Sequence, residues 1–179
     1  MRKLLFLNCI LLITNCKNKG EEGKNNITGS IMNDYMTVII KAKVIEDDKF
    51  QLYFSEKIIR QYHPDDIVEI NIKGRDDCQN IVFNLPKGIH PIKIRLDVGV
   101  KKIETPIWIE EISFSNGAKH FSFKGAQLSK YFRPNKYLEQ KTSSNTYERK
   151  AIEGVYDPFL ISINVDNIVN NLFNESSNE

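Results

Sequence analysis

The chain has 179 residues, 27% of them charged and 41% hydrophobic, with only 3 cysteines. That is the size of one domain with short appendages, and it excludes a multidomain enzyme, a coiled coil, a collagen-like fibre and a disulfide-dense miniprotein. There are 25 bases and 23 acids, and without Arg2 and Lys3 the balance is zero, which leaves no electrostatic footprint for nucleic acid.

Residues 1–16 read MRKLLFLNCILLITNC. Arg2 and Lys3 form a positive start, and residues 4–13 are apolar apart from Asn8 and Cys9. A stretch of about ten residues is half of what a membrane-spanning helix needs, and it fits the apolar region of a secretory signal peptide. The segment Ile13-Thr14-Asn15-Cys16 resembles a lipobox, the cleavage and lipidation site of bacterial lipoproteins. Ile13, Thr14 and Cys16 match; Asn15 stands where Gly, Ala or Ser is usual. The resemblance implies removal of residues 1–15 and lipidation of Cys16, with each acyl CH2 adding about 0.8 kcal/mol of membrane affinity.

Residues 16–33 read as a flexible tether rich in Gly, Asn and charge. No Asp follows Cys16, and Glu21-Glu22 resembles the surface-export signals of some Gram-negative lipoproteins. The expected location is the cell envelope, as an outer-membrane lipoprotein that is periplasmic or surface-exposed. Abundant Ile, Lys and Asn with few Ala and Arg reflect AT-rich codons and a low-GC bacterium. With Cys9 removed and Cys16 lipidated, Cys78 has no disulfide partner and reads as an inert thiol.

The body reads as strands. Met36, Val38, Ile40, Ala42 and Val44 alternate onto one face, as do Phe50, Leu52 and Phe54. The charged turn at residues 46–49 between them predicts a hairpin. Residues 67–73 and 79–84 are two further strands separated by a turn at 74–78. Ile92, Ile94 and Leu96 alternate with Lys93, Arg95 and Asp97, a strand with one wet face. Residues 107–114 and 119–124 flank Asn116-Gly117, a strong hairpin signal. Seven short strands without strong helices between them predict an all-β antiparallel sandwich, jelly-roll-like, over residues 34–165.

The C-terminal part is less regular. Residues 126–131 predict a short helical turn, 139–153 a mobile polar loop, and 159–163 a last strand. Residues 166–173 predict a short helix with Ile168, Val169 and Leu172 on one side, and 174–179 a tail; the helix and tail together form the C-terminal appendage, 166–179.

The run from Phe50 to Phe114 resembles the β-sandwich ectodomains of some Bacteroidota-type envelope membrane proteins and lipoproteins. The resemblance lies in Phe50-Gln-Leu-Tyr-Phe54, in Ile81-Val-Phe-Asn-Leu-Pro-Lys-Gly88, in Ile94-Arg-Leu-Asp-Val-Gly99 and in Ile107-Trp-Ile-Glu-Glu-Ile112. Val98 stands where those domains carry Pro. Such domains look like jelly-roll carbohydrate-binding modules, so the resemblance implies sugar binding by analogy of fold.

Sugar binding needs aromatic platforms and planar polar groups on a rigid surface. Tyr53 and Trp108, with Arg95 and Asp97, are the strand candidates. Tyr131, Arg133, Tyr137 and Tyr156 are candidates in the irregular region, because loops often carry function. Ordinary explanations compete: Trp108 as a core residue, Arg95 and Asp97 as a solvated or turn-stabilising pair, and the later aromatics as a seal on the sandwich end. The acidic pairs Asp47-Asp48, Asp65-Asp66 and Asp76-Asp77 lie at turns without EF-hand spacing. His63, His90 and His120 lack zinc-ligand spacing, and there is no P-loop or G-x-S-x-G.

The sequence therefore predicts a lipid-anchored, non-catalytic binding or accessory module of the envelope, for glycan or an envelope protein, with no metal, no cofactor and no nucleic-acid partner. A structural interaction subunit and a glycan-processing enzyme are the alternatives. The first would show an exposed apolar patch; the second, two carboxylates about 5–10 Å apart in a cleft.

Overall fold

The computed structural model describes residues 34–58, 61–141 and 144–174. The expected signal segment 1–15, the lipidation site Cys16 and the tether 16–33 lie outside the described residues, as do residues 175–179 of the expected tail. Among the described residues, no helix is long and apolar enough to cross a membrane.

Two antiparallel sheets pack face to face. The first holds β1 (Thr37–Lys43), β4 (Gln79–Asn84), β6 (Ile107–Asn116), β7 (Lys119–Lys124), β9 (Leu138–Gln140) and β10 (Thr146–Arg149). The second holds β2 (Asp48–Ser55), β3 (Ile67–Ile72), β5 (Lys93–Asp97), β8 (Phe132–Pro134) and β11 (Phe159–Ser162). The expected all-β antiparallel sandwich is the observed fold. Met36, Val38, Ile40, Ala42 and Val44 are buried on the inner side of the first sheet, and Phe50, Leu52 and Phe54 on the inner side of the second. Both sets belong to one core. Period-2 alternation places them there, because successive strand side chains point to opposite faces.

The predicted β1–β2 hairpin does not form. β1 pairs with β4 and β6, and β2 pairs with β3 and β5. Residues 44–47 carry the chain across the core from one sheet to the other. Alternation is the same whether two apolar faces lie side by side in one sheet or face each other across a core, so the pattern alone does not separate the two arrangements.

This crossing recurs through the fold. The first sheet runs β4-β1-β6-β10-β9 and the second β3-β2-β5-β11-β8. Position by position, the two strands that face each other are consecutive in the chain. The structure is thus five stacked arches, β3–β4, β1–β2, β5–β6, β10–β11 and β8–β9. The pairing registers put all five connectors at one end of the sandwich. Among the described strands, only β7 breaks the scheme. It forms the expected hairpin with β6, with Asn116 opposite Lys119. The two loop residues are Gly117, at φ 57°, and Ala118, so the glycine takes the first central position of the turn.

The arched end is held by the acidic pair at the start of β2. Asp47 Oδ1 accepts from the Gly74 amide at 2.8 Å and Oδ2 from Lys73 Nζ at 2.7 Å. Asp48 Oδ1 accepts from the amides of Lys49, Val100 and Lys101. Its Oδ2 meets Arg149 Nη1 at 2.8 Å, in an ion pair whose side chains are 0% and 1% exposed. Arg149 also donates to the carbonyls of Val98 and Thr105. Five donors of three arches and the arginine thus converge on two carboxylates. Gly99, at φ 137°, sits against them: a Cβ there would lie 2.5 Å from Arg149 Nη1 and 2.7 Å from Asp48 Oδ2.

Residues 139–153 are not a loop. They form most of the β9–β10 hairpin, with residues 142–143 outside the described set, and they bury Tyr147 and Arg149. Their polar composition hides this, because only alternate residues of so short a hairpin face inward. The predicted helical turn is present as a 3-10 turn, Gly125–Gln127, followed by α1 (Leu128–Tyr131). The predicted C-terminal helix is α2 (Asp166–Phe173), and its Ile168, Val169 and Leu172 join the core. Lys119 Nζ donates to the carbonyls of Asn171 and Asn174, and the Phe173 ring stacks on His90 at 3.6 Å, which fixes α2 at the end opposite the arches.

Candidate functional site

The outer face of the second sheet carries the most distinctive surface. In an antiparallel sheet, directly opposed residues share a face. The pairings therefore set Ile67, Tyr53, Arg95, Ile161 and Arg133 in one row across all five strands. Glu69, Gln51, Asp97 and Phe159 form the next row. The loop after β2 brings Tyr62 over Tyr53, with ring centroids 6.1 Å apart. Tyr53, Tyr62, Arg95 and Phe159 line a groove of about 380 Å³, together with Gln61, Pro64 and Ile161. That volume lies toward the lower end of small-molecule sites.

Arg95 is the centre of this groove. Its Nε and Nη2 make a two-pronged bond to Asp97, at 2.6 and 2.8 Å, and Nη2 also reaches Asp157 Oδ1 at 2.5 Å. The guanidinium lies 3.9 Å from the Phe159 ring centroid and 5.5 Å from that of Tyr53. A forked, planar cation suits both the paired carboxylate oxygens and the aromatic faces. Its side chain remains 24% exposed, while Asp97 is covered.

Burial shapes the protonation here. It pushes the Asp97 carboxyl above its usual range, against the pull of Arg95. Burial alone would lower Arg95, but the bond to Asp97 and the nearby carboxylates hold it up. Burial also raises the phenols of Tyr53 and Tyr62, the latter to about 12. At neutral pH the groove therefore presents protonated phenols beside a charged guanidinium.

Of the residues singled out in the sequence, Tyr53, Arg95 and Asp97 come together here, and Arg133 stands exposed on the edge strand of the same face. The others lie elsewhere. Trp108 is not a core residue: it is 42% exposed on the outer face of the first sheet, opposite Lys43 and Thr146. Tyr131 packs on Phe123, ring centroids 4.1 Å apart. Tyr137 is buried beside Lys136. Tyr156 gives its hydroxyl proton to the Ile103 carbonyl near the arched end. Arg95 and Asp97 are ion-paired rather than simply solvated.

Sequence reasoning missed Gln61, Tyr62, Pro64, Phe159 and Ile161. Phe159 and Ile161 flank the buried Leu160, so their common face was readable, but not that β11 lies beside β5. Nothing in the polar stretch around Tyr62 marks it as a groove wall. Among the described residues, no three His, Cys, Asp or Glu side chains converge as a metal site. The acidic pair Asp47-Asp48 spends its oxygens on the arches instead. No protein-family model, curated protein or solved structure matches the chain.

Proposed function

We propose that this protein is a lipid-anchored component of the bacterial cell envelope whose sandwich binds glycan, without chemical turnover, in the groove on its second sheet. The observation that carries the reading is the groove itself: two tyrosines and a phenylalanine around a fixed, forked donor, Arg95, on a rigid sheet. Aromatic faces stack against the C–H faces of pyranose rings, and an oriented donor recognises ring hydroxyls. Asp97 and Asp157 are both bonded to Arg95, which occupies them as guanidinium partners rather than as an acid and base pair.

The anchor rests on the lipobox-like Ile13-Thr14-Asn15-Cys16 and the tether that follows. It implies an outer-membrane lipoprotein, periplasmic or surface-exposed. Palmitate labelling of the full-length protein should disappear in Cys16→Ala; unchanged labelling would refute the anchor. A broad glycan array should retain the protein and lose it in Tyr62→Ala. Absence of binding across the panel would refute the glycan reading.

A further inference from the structure

The chemistry of the groove narrows the class of sugar, an inference that rests on the glycan-binding reading above. Arg95 has three guanidinium nitrogens. Nε and Nη2 are taken by Asp97 and Asp157, and Nη1 has no partner among the described residues. Two carboxylates and the Phe159 ring already hold the side chain, so its remaining donor is in place before a ligand arrives and little freedom is lost on binding.

The acceptor that Nη1 takes is not another carboxylate. Asp97 and Asp157 share Arg95, which leaves these three groups one negative charge in excess; Arg133 of the same row stands two strands away, beyond Ile161, so a third carboxylate at Nη1 would meet repulsion. An uncharged acceptor remains, either a hydroxyl or an amide carbonyl. The rest of the lining decides between them. Ile161 is the cross-strand neighbour of Arg95 and, with Pro64, gives the groove an apolar portion beside the donor. A hydroxyl leaves that portion wet. An acetamido group covers it with a methyl while its carbonyl accepts from Nη1, and Gln61 lines the same groove as a partner for its N–H. We infer that the groove selects uncharged glycans bearing an N-acetyl group, with Arg95 Nη1 as donor to the acetamido carbonyl and Ile161 as the surface for its methyl.

The test is isothermal titration of the full-length protein with three β-1,4-linked trimers that differ only at carbon 2: N-acetylglucosamine, glucose and glucosamine. The N-acetyl trimer should bind tightest, by about tenfold or more over the glucose trimer, as expected for one buried methyl. Ile161→Thr keeps the branch at Cβ and replaces the ethyl arm with a hydroxyl, and it should cut the affinity of the N-acetyl trimer more than that of the glucose trimer. Equal or tighter binding of the glucose or glucosamine trimer would overturn the inference and leave glycan binding intact. So would retention on the glycan array with no affinity for the N-acetyl trimer. Silence of both the trimers and the array would overturn the inference and the glycan reading together.

Discussion

Asp48 and Arg149 lie 101 residues apart in sequence and form the most deeply buried ion pair described, joining the start of β2 to the end of β10 across the two sheets. Removing one partner of such a pair leaves a charge without water or counter-ion, a change that costs about 3–5 kcal/mol. Arg149→Met should therefore lower stability by about that amount in urea unfolding. A loss below about 1 kcal/mol would show that the pair is not shielded as described. Neither residue was legible beforehand. Asp48 reads as half of a charged turn, and Arg149 sits in a stretch whose polarity imitates a loop. A buried ion pair leaves no periodic trace, because its two members need only meet in space. Tyr53, Arg95 and Asp97 were more readable: alternation along β5 put Arg95 and Asp97 on the outer face, and β2 did the same for Tyr53.

At the scale of elements, what could be read was which residues face inward, and what could not be read was which strand lies beside which. β1 and β2 show this most clearly, with correct inner faces and a wrong pairing. The short β9–β10 hairpin shows it again, since three inward residues spread over two strands, Leu138, Tyr147 and Arg149, give too brief a pattern to detect. Tyr147 also supplies a test of that hairpin. It is 1% exposed, and burial raises its phenol to about 12, against about 10 when unfolded. The folded form holds its proton more tightly than the unfolded form. Its contribution is complete below pH 10 and is lost as pH rises toward 12, at about 1.4 kcal/mol per pH unit across that window. Tyr62 acts in the same direction. Urea unfolding at pH 9–12 should show this decline, with a shallower slope in Tyr147→Phe. An unchanged slope in that variant would place Tyr147 in water, where a mobile loop would leave it.

For the whole molecule, the stacked arches separate two tasks. One end is tied by Asp47, Asp48 and Arg149, the other is covered by α2, and the broad outer faces of the sheets are left to solvent. The second sheet gathers its aromatic groups and Arg95 into one groove, whereas Trp108 stands on the opposite side of the sandwich. The two faces make different predictions for the same ligand. The most direct measurement is an amide-resolved NMR titration of the full-length protein with a glycan retained on the array. Shifts should concentrate at Tyr53, Tyr62, Arg95, Phe159 and Ile161, with Trp108 and its neighbours unmoved. Shifts centred on Trp108, with the groove silent, would contradict the account.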